Sequence, residues 1–131
     1  YLSDRKKWKI SASHNTGKVG SAVDGNLGTR FDTATAMVPG MWFQIELPKT
    51  MEVSGLRLDS AGSVLDYPSG YEITVSVDGK SWSPPLAKGK GIEPLTEIYF
   101  SSVKAKLIRV TQTGRRPGKY WSIHDLQIYG K

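Results

Sequence analysis

Residues 21–31, S-A-V-D-G-N-L-G-T-R-F, bring a carboxylate (Asp24), a hydroxyl (Thr29), an asparagine (Asn26) and two glycines into one turn-rich stretch. Gly25 and Gly28 permit backbone turns that other residues resist, so carbonyl oxygens can point inward beside the Asp24 carboxylate. Hard oxygens around a tight glycine turn suit a calcium ion, which takes about six to eight such donors. A loop this short supplies too few. The remote acid that offers itself is Asp125, in S-I-H-D-L-Q-I-Y-G near the end of the sequence. An ion held by both would pin the first quarter of the chain to its last strand. D-G-N also reads as a plain turn, because Asp-Gly and Gly-Asn are ordinary turn dipeptides and the spacing of an EF-hand is absent.

Catalytic chemistry finds less support. The chain has no cysteine and only two histidines, His14 and His124, far apart in sequence. Thiolate nucleophiles, disulfides and the usual zinc sites are therefore not expected. No G-x-S-x-G elbow occurs, and nothing in the sequence marks two of the twelve acids as a facing glycosidase pair. The reading is of a protein without enzyme activity of its own. Its formal net charge of +6 is concentrated in Arg5-Lys6-Lys7-Trp8-Lys9, in Lys88 and Lys90, and in Arg115-Arg116-Pro117-Gly118-Lys119. Such runs are commonly solvated surface, but an excess of cations favours anionic or neutral polar partners over cationic ones. Tyr120 and Trp121 directly follow the last run. In an extended segment one of these rings points outward while its neighbour points inward.

The elements that must position these groups are short strands. Fourteen glycines and seven prolines punctuate 131 residues, which suffices for one domain with a true core. Phe43, Ile45 and Leu47 alternate with polar neighbours over 42–47, and Leu56 and Leu58 flank Arg57 within 53–59. Residues 71–78 give the cleanest alternation, ending in an Asp78-Gly79 turn, and further strands are expected near 97–100, at 107–112 and at 123–129. Residues 1–9 read as a lead-in, frayed or laid along an edge. Residues 11–18, 32–41 and 60–69 read as loops, the last carrying Asp66 and Tyr67. Seven or eight strands without helical periodicity predict an all-β antiparallel sandwich, residues 1–131 forming a single domain. No apolar run approaches the roughly 20 residues of a membrane helix. The chain begins with Tyr and carries no signal peptide, so it reads as a module cut from a longer precursor.

Four stretches in register carry a resemblance: A-V-D-G-N-L-G-T-R-F (22–31), W-F-Q-I-E-L (42–47), Y-P-S-G-Y-E-I-T-V-S-V-D-G-K-S-W (67–82) and I-R-V-T-Q-T-G-R-R-P-G-K-Y-W-S-I-H-D-L-Q-I-Y-G (108–130). In this order they resemble the coagulation factor 5/8 type C, or discoidin-like, domain, and more narrowly the bacterial carbohydrate-binding module family 32. The resemblance runs from about Trp8 to Gly130 and implies an eight-stranded jelly-roll β-sandwich with neighbouring termini. It also implies attachment to a secreted polysaccharide-active enzyme, hence an extracellular, cell-surface or periplasmic setting. A structural calcium would be held by the Ala22 carbonyl, the Asp24 carboxylate, the Asn26 carbonyl, Thr29 through hydroxyl and carbonyl, the His124 carbonyl and the Asp125 carboxylate. The family commonly has Glu where this chain has Asp125, a side chain one methylene shorter.

The resemblance further implies a sugar site on loops at one end of the sandwich, here 12–20, 31–40, 59–70 and 114–121. A pyranose offers apolar C–H faces to an aromatic ring and a rim of hydroxyls to polar partners. Tyr120 is the expected platform, with Trp121 packed inside, and Tyr67 is a second candidate ring. His14, Arg30, Asp59 and Asp66 are candidates for the polar rim, although Arg30 could equally form a structural salt bridge and the two aspartates could cap turns. Arg115, with Arg116 and Lys119, would matter for a sulfated or uronic chain. The arginine of many galactose-preferring members is missing near Leu58-Asp59-Ser60, and D-Y-P-S-G-Y is closer to members that bind glucan-like or glucosamine-like chains. Cationic chitosan would be repelled by this charge. The expected function is that of a noncatalytic carbohydrate-binding module, its partners a polysaccharide or oligosaccharide and the other domains of the parent chain. The alternative is a discoidin-like adhesion domain for proteins or anionic membranes, using Met37-Val38-Pro39 and Val64-Leu65. No nucleic-acid motif accompanies the basic residues, so no nucleic-acid partner is expected.

Overall fold

Alternating burial builds the frame. The computed structural model describes residues 1–131 and contains eight strands: β1 (Lys9–Ala12), β2 (Phe31–Met37), β3 (Trp42–Asp59), β4 (Tyr71–Ser76), β5 (Ala87–Gly89), β6 (Leu95–Gln112), β7 (Arg116–Ile123) and β8 (Asp125–Gly130). Every pairing between them is antiparallel. β3 buries Phe43, Ile45 and Leu47, then Val53, Leu56 and Leu58. β4 buries Ile73 and Val75, and β6 buries Ile98, Ile108 and Val110. Enclosing side chains of this size contributes about 1.5–3 kcal/mol each.

β3 and β6 are each 18 residues long because every one spans both layers of the sandwich. The first part of β3 lies between β1 and the last part of β6; its second part lies between the start of β6 and β8. Register shifts between Glu46 and Met51 and between Val53 and Gly55 mark the bend. The sequence reading split each of these strands in two. The corners stay hydrogen-bonded through bulges, so the backbone ladder continues where the hydrophobic alternation lapses. β4 and β5 extend the first layer. β2 and β7 form a separate ribbon. Phe31 on that ribbon meets Phe43 on β3 edge-on, with ring centroids 4.9 Å apart.

β2 and β7 correct the expectation of loops over 32–41 and 114–121. Thr33 stands at an inward position of β2 and is buried, its hydroxyl donating to the Thr35 carbonyl and accepting the Trp121 N–H. This satisfied threonine interrupts the apolar alternation without interrupting the strand. In β7, Pro117 and Gly118 read as a turn but sit in a ribbon whose register shifts between Asp32, Ala36 and Met37. The last expected strand is likewise divided, Ile123 ending β7 and Asp125 opening β8. β4 stops at Ser76, whose hydroxyl accepts the Gly79 N–H (2.8 Å) and donates to the Ser81 carbonyl (2.7 Å), which turns Val77 out to solvent.

Residues 1–9 are tied down rather than frayed. Leu2 and Trp8 are buried, and the Leu2 N–H donates to the Ile128 carbonyl at 2.8 Å. Arg5–Lys7 forms a short 3-10 turn and Thr16–Ala22 a second. Tyr1 packs against Tyr129 and Lys131 donates to the Glu52 carbonyl, so the two ends of the described chain lie side by side.

Candidate functional site

Arg30 precedes β2 and reaches two carboxylates: its Nε is 3.2 Å from Asp32 Oδ2 and its Nη1 3.0 Å from Asp66 Oδ2. The same Asp66 oxygen accepts the Ser122 hydroxyl at 2.7 Å, and the Asp66 carbonyl accepts the Ser122 N–H. Asp66 is only 8% exposed, so these bonds compensate the removal of its charge from water. They lay the 60–69 loop against β7. Along β7, Tyr120 and Ser122 share one face while Trp121 turns into the core and is fully buried. The Trp121 Nε1–H finds no acceptor there.

Tyr120 is 42% exposed and, with Arg30, Asp66, Gly118 and Lys119, lines an open cavity of about 260 Å³. Arg116 braces the rim. Its Nη1 donates to the carbonyls of Leu65 (2.6 Å) and Tyr67 (3.1 Å), and its guanidinium lies 4.6 Å from the centre of the Tyr67 ring. Beneath, the buried Gln112 Oε1 accepts the N–H groups of Gly70 (3.1 Å) and Gly114 (2.9 Å) and the Ser69 hydroxyl (3.2 Å). That side chain fastens the 66–70 segment to the 113–115 segment. A Cβ on Gly114 would lie 2.2 Å from Ser69 Oγ, so the approach of the two segments requires glycine.

The structure thus brings Arg30, Asp66 and Tyr120 into one cavity, with Tyr67 at its edge under Arg116. Arg115 is exposed and Lys119 half-buried beside them, and neither is paired with a carboxylate. The two carboxylates here, Asp32 and Asp66, both contact Arg30. His14 and Asp59 do not line this cavity. His14 Nδ1 is bonded to Ser13 Oγ (2.8 Å), and Asp59 Oδ1 accepts the Ala61 N–H (2.7 Å) as a turn cap. Asp32, Gln112, Gly118 and Ser122 were not singled out by sequence. A period-two reading outward from Arg30 and Tyr120 would have reached Asp32, Gly118 and Ser122. Larger hollows beside Arg5–Lys7 and Val23–Gly25 (about 470 Å³) and beside residues 49–52 with Lys131 (about 490 Å³) present no exposed aromatic ring. Of the apolar tips considered for a membrane, Met37 is fully buried, whereas Val64 and Leu65 are exposed.

The 22–29 loop forms as a turn with Gly25 at φ +76°. Asp24 Oδ1 accepts the Asn26 N–H (3.0 Å), Oδ2 accepts the Thr29 hydroxyl, and Thr29 Oγ1 lies 3.0 Å from the Asn26 carbonyl oxygen. The Thr29 hydroxyl and then the Asn26 N–H hold the Asp24 carboxyl below its ordinary 3.8. Ala22 is buried below, and His124 bridges the neighbouring loops through Nδ1 to the Leu27 carbonyl (2.8 Å) and Nε2 to Ser63 Oγ (3.0 Å). Asp125 faces elsewhere. Its Oδ1 is 2.6 Å from Arg5 Nη1 and its Oδ2 accepts Gln127 Nε2 at 3.2 Å. Arg5 Nη2 also lies 4.0 Å from the place a Cβ on Gly25 would take. The loop's own oxygens suit a hard cation, but with Asp125 engaged by a guanidinium the full calcium set does not fit as arranged.

These features define a β-sandwich with an open cavity lined by a ring, a guanidinium and a buried carboxylate. A model of the F5/8 type C domain matches residues 7–126, and the chain belongs to that family. It is 28% identical over 123 residues to a sialidase of Micromonospora viridifaciens, covering 88% of this chain and 19% of that protein. The chain spans about a fifth of the length of the curated relatives it matches. Among solved structures it is similar to chitosan-binding module 2, in complex with chitotriose, from the chitosanase/glucanase of Paenibacillus sp. IK-5, with a TM-score of 0.79, 28% identity and coverage of 95% of this chain and 97% of that one. The family 32 module of Clostridium perfringens NanJ, in complex with galactose, superposes with a TM-score of 0.79 at 24% identity, covering 94% and 93%.

Proposed function

We propose that this domain is a noncatalytic carbohydrate-binding module that holds a parent protein to a glycan outside the cell, through the cavity of Arg30, Asp66, Gly118, Lys119 and Tyr120. The observation that carries the reading is the half-exposed Tyr120 ring beside the Arg30–Asp66 pair, with Trp121 turned inward. The ring packs on the apolar face of a pyranose, while Arg30 and Lys119 donate to hydroxyl or carboxylate oxygens. Such groups bind and orient a sugar. Tethering then raises the local concentration of substrate for the other domains of the parent chain.

The ligand is a neutral or anionic glycan. The two carboxylates nearest the cavity both contact Arg30, and Arg115 and Lys119 have no acidic partner, so an aminosugar polymer such as chitosan meets like charge. Relatives with a similar frame are described with chitotriose and with galactose, which supports a saccharide ligand of some kind.

The test is retention on insoluble polysaccharides and a glycan array at about 0.01 M and 0.15 M salt, conditions that shorten the Debye length from roughly 30 to 8 Å. Tyr120→Ala is expected to weaken binding about tenfold, the equivalent of about 1.4 kcal/mol, with a melting temperature little changed. Binding that survives salt identifies a neutral sugar, and binding lost with salt a sulfated or uronic chain. No glycan binding, together with retention on anionic lipid vesicles through Val64 and Leu65, would overturn the reading.

A further inference from the structure

The Arg5 guanidinium stands where the chain's two oxygen-rich segments meet. Asp4 opens the Arg5–Lys7 turn, and the Lys7 and Trp8 N–H groups close it on the Asp4 and Arg5 carbonyls at 2.9 and 3.1 Å. Trp8 is 7% exposed, which anchors the turn in the core. From that base Arg5 Nη1 donates both to Asp125 Oδ1 (2.6 Å) and to the Leu126 carbonyl (3.1 Å), while Nη2 lies 4.0 Å from the place a Cβ on Gly25 would take. The Arg5 and Asp125 side chains are 19% and 15% exposed, so the pair is shielded from bulk water and salt.

We propose that in this chain the Arg5 guanidinium, and not a calcium ion, is the cation that joins the 22–29 loop to the start of β8. The loop is also closed by bonds that need no ion. Asp24 accepts the Asn26 N–H and the Thr29 hydroxyl, Asn26 Oδ1 accepts the Gly28 N–H, and the His124 Nδ1–H donates to the Leu27 carbonyl. A divalent ion drawn to Asp24 would have to share Asp125 with an arginine already bonded to it, two cations in one small space. Without Asp125 the Asp24 carboxylate would be the only anionic ligand, beside the Thr29 hydroxyl and four backbone carbonyls, one negative charge against an ion of two. Aspartate is also the shorter acid, and Arg5 makes up the missing reach from the opposite side.

The experiment is thermal unfolding of the metal-stripped domain in excess calcium and in chelator, with ion binding read independently by titration calorimetry. The wild-type melting temperature is expected to be the same in both buffers, with no binding heat at micromolar calcium. Arg5→Gln is expected to lower it by about 3–8 °C, and calcium to recover part of the loss, because the substitution frees Asp125. Arg5→Lys keeps the charge without the two-point bond and is expected to fall between; it also serves if Arg5→Gln fails to fold. A wild-type domain that loses several degrees in chelator, or an Arg5→Gln domain as stable as wild type, overturns the proposal. Glycan retention is measured separately, so the two proposals fail independently.

Discussion

Asp66 illustrates how one side chain holds a site and its scaffold together. Its buried Oδ2 accepts both the Arg30 guanidinium and the Ser122 hydroxyl. Removing it leaves a half-exposed arginine that Asp32 still partners and a buried hydroxyl without its acceptor. Asp66→Ala is therefore expected to cost about 2–3 kcal/mol in urea unfolding, less than breaking a fully buried pair because Arg30 is half-exposed, and to abolish glycan retention as well. Tyr120→Ala should separate these effects, losing retention with little loss of stability, because the ring is half-exposed and outside the core. Arg30, Asp66 and Tyr120, which meet at the cavity, were named in sequence by residue type, as were His14 and Asp59, which lie elsewhere. Their partners were not, since an arginine cannot announce which of twelve acids it will meet.

At the scale of elements, β3 and its neighbours set the tolerance for change. Gly55 pairs with Tyr99 on one side and Tyr129 on the other, and those rings approach to 5.4 Å across it. A Cβ on Gly55 would lie 2.3 Å from the Ile98 carbonyl oxygen and 3.1 Å from the Tyr129 ring. Gly55→Ala is expected to destabilise by about 1–3 kcal/mol through forced strand displacement, seen as a lower urea midpoint at unchanged glycan affinity. β3, β4 and β6 were readable because they bury one face and wet the other. β2 and β7 were not, since the satisfied Thr33 takes an inward position where an apolar residue would have signalled a strand, and Ser122, on the opposite face from Trp121, is buried only by the Asp66 loop.

For the whole molecule, the closure of the ends is also a source of pH dependence. Tyr129 packs between Tyr1 and Tyr99, and its hydroxyl donates to Glu97 at 2.7 Å. Burial and then the Glu97 carboxylate push the phenol well above its ordinary value of 10.0. The fold thus favours the neutral phenol. The stability this gives is fully present below pH 10 and is lost as pH rises above 10 toward the folded-state value. Urea midpoints are expected to fall as the pH rises from about 10 to 12, and Tyr129→Phe to flatten that fall. Ultraviolet titration should find Tyr129 ionising later than a free tyrosine.

Composition, turn residues and period-two alternation determined an all-β sandwich, and motifs in register determined its family, because both are local properties of the chain. That Tyr120 and Trp121 face opposite ways follows from the same alternation, and the packing decides that Trp121 is the one inside. Tertiary structure alone decided the rest. Arg5 and Asp125 are separated by 120 residues and meet only when the ends close. The same closure turned an expected calcium ligand into the partner of a guanidinium, and the Gln112 bonds drew the 66–70 and 113–115 segments together beneath the cavity. Contacts of that kind depend on which surfaces the strands bring face to face, and one-dimensional spacing carries no record of them.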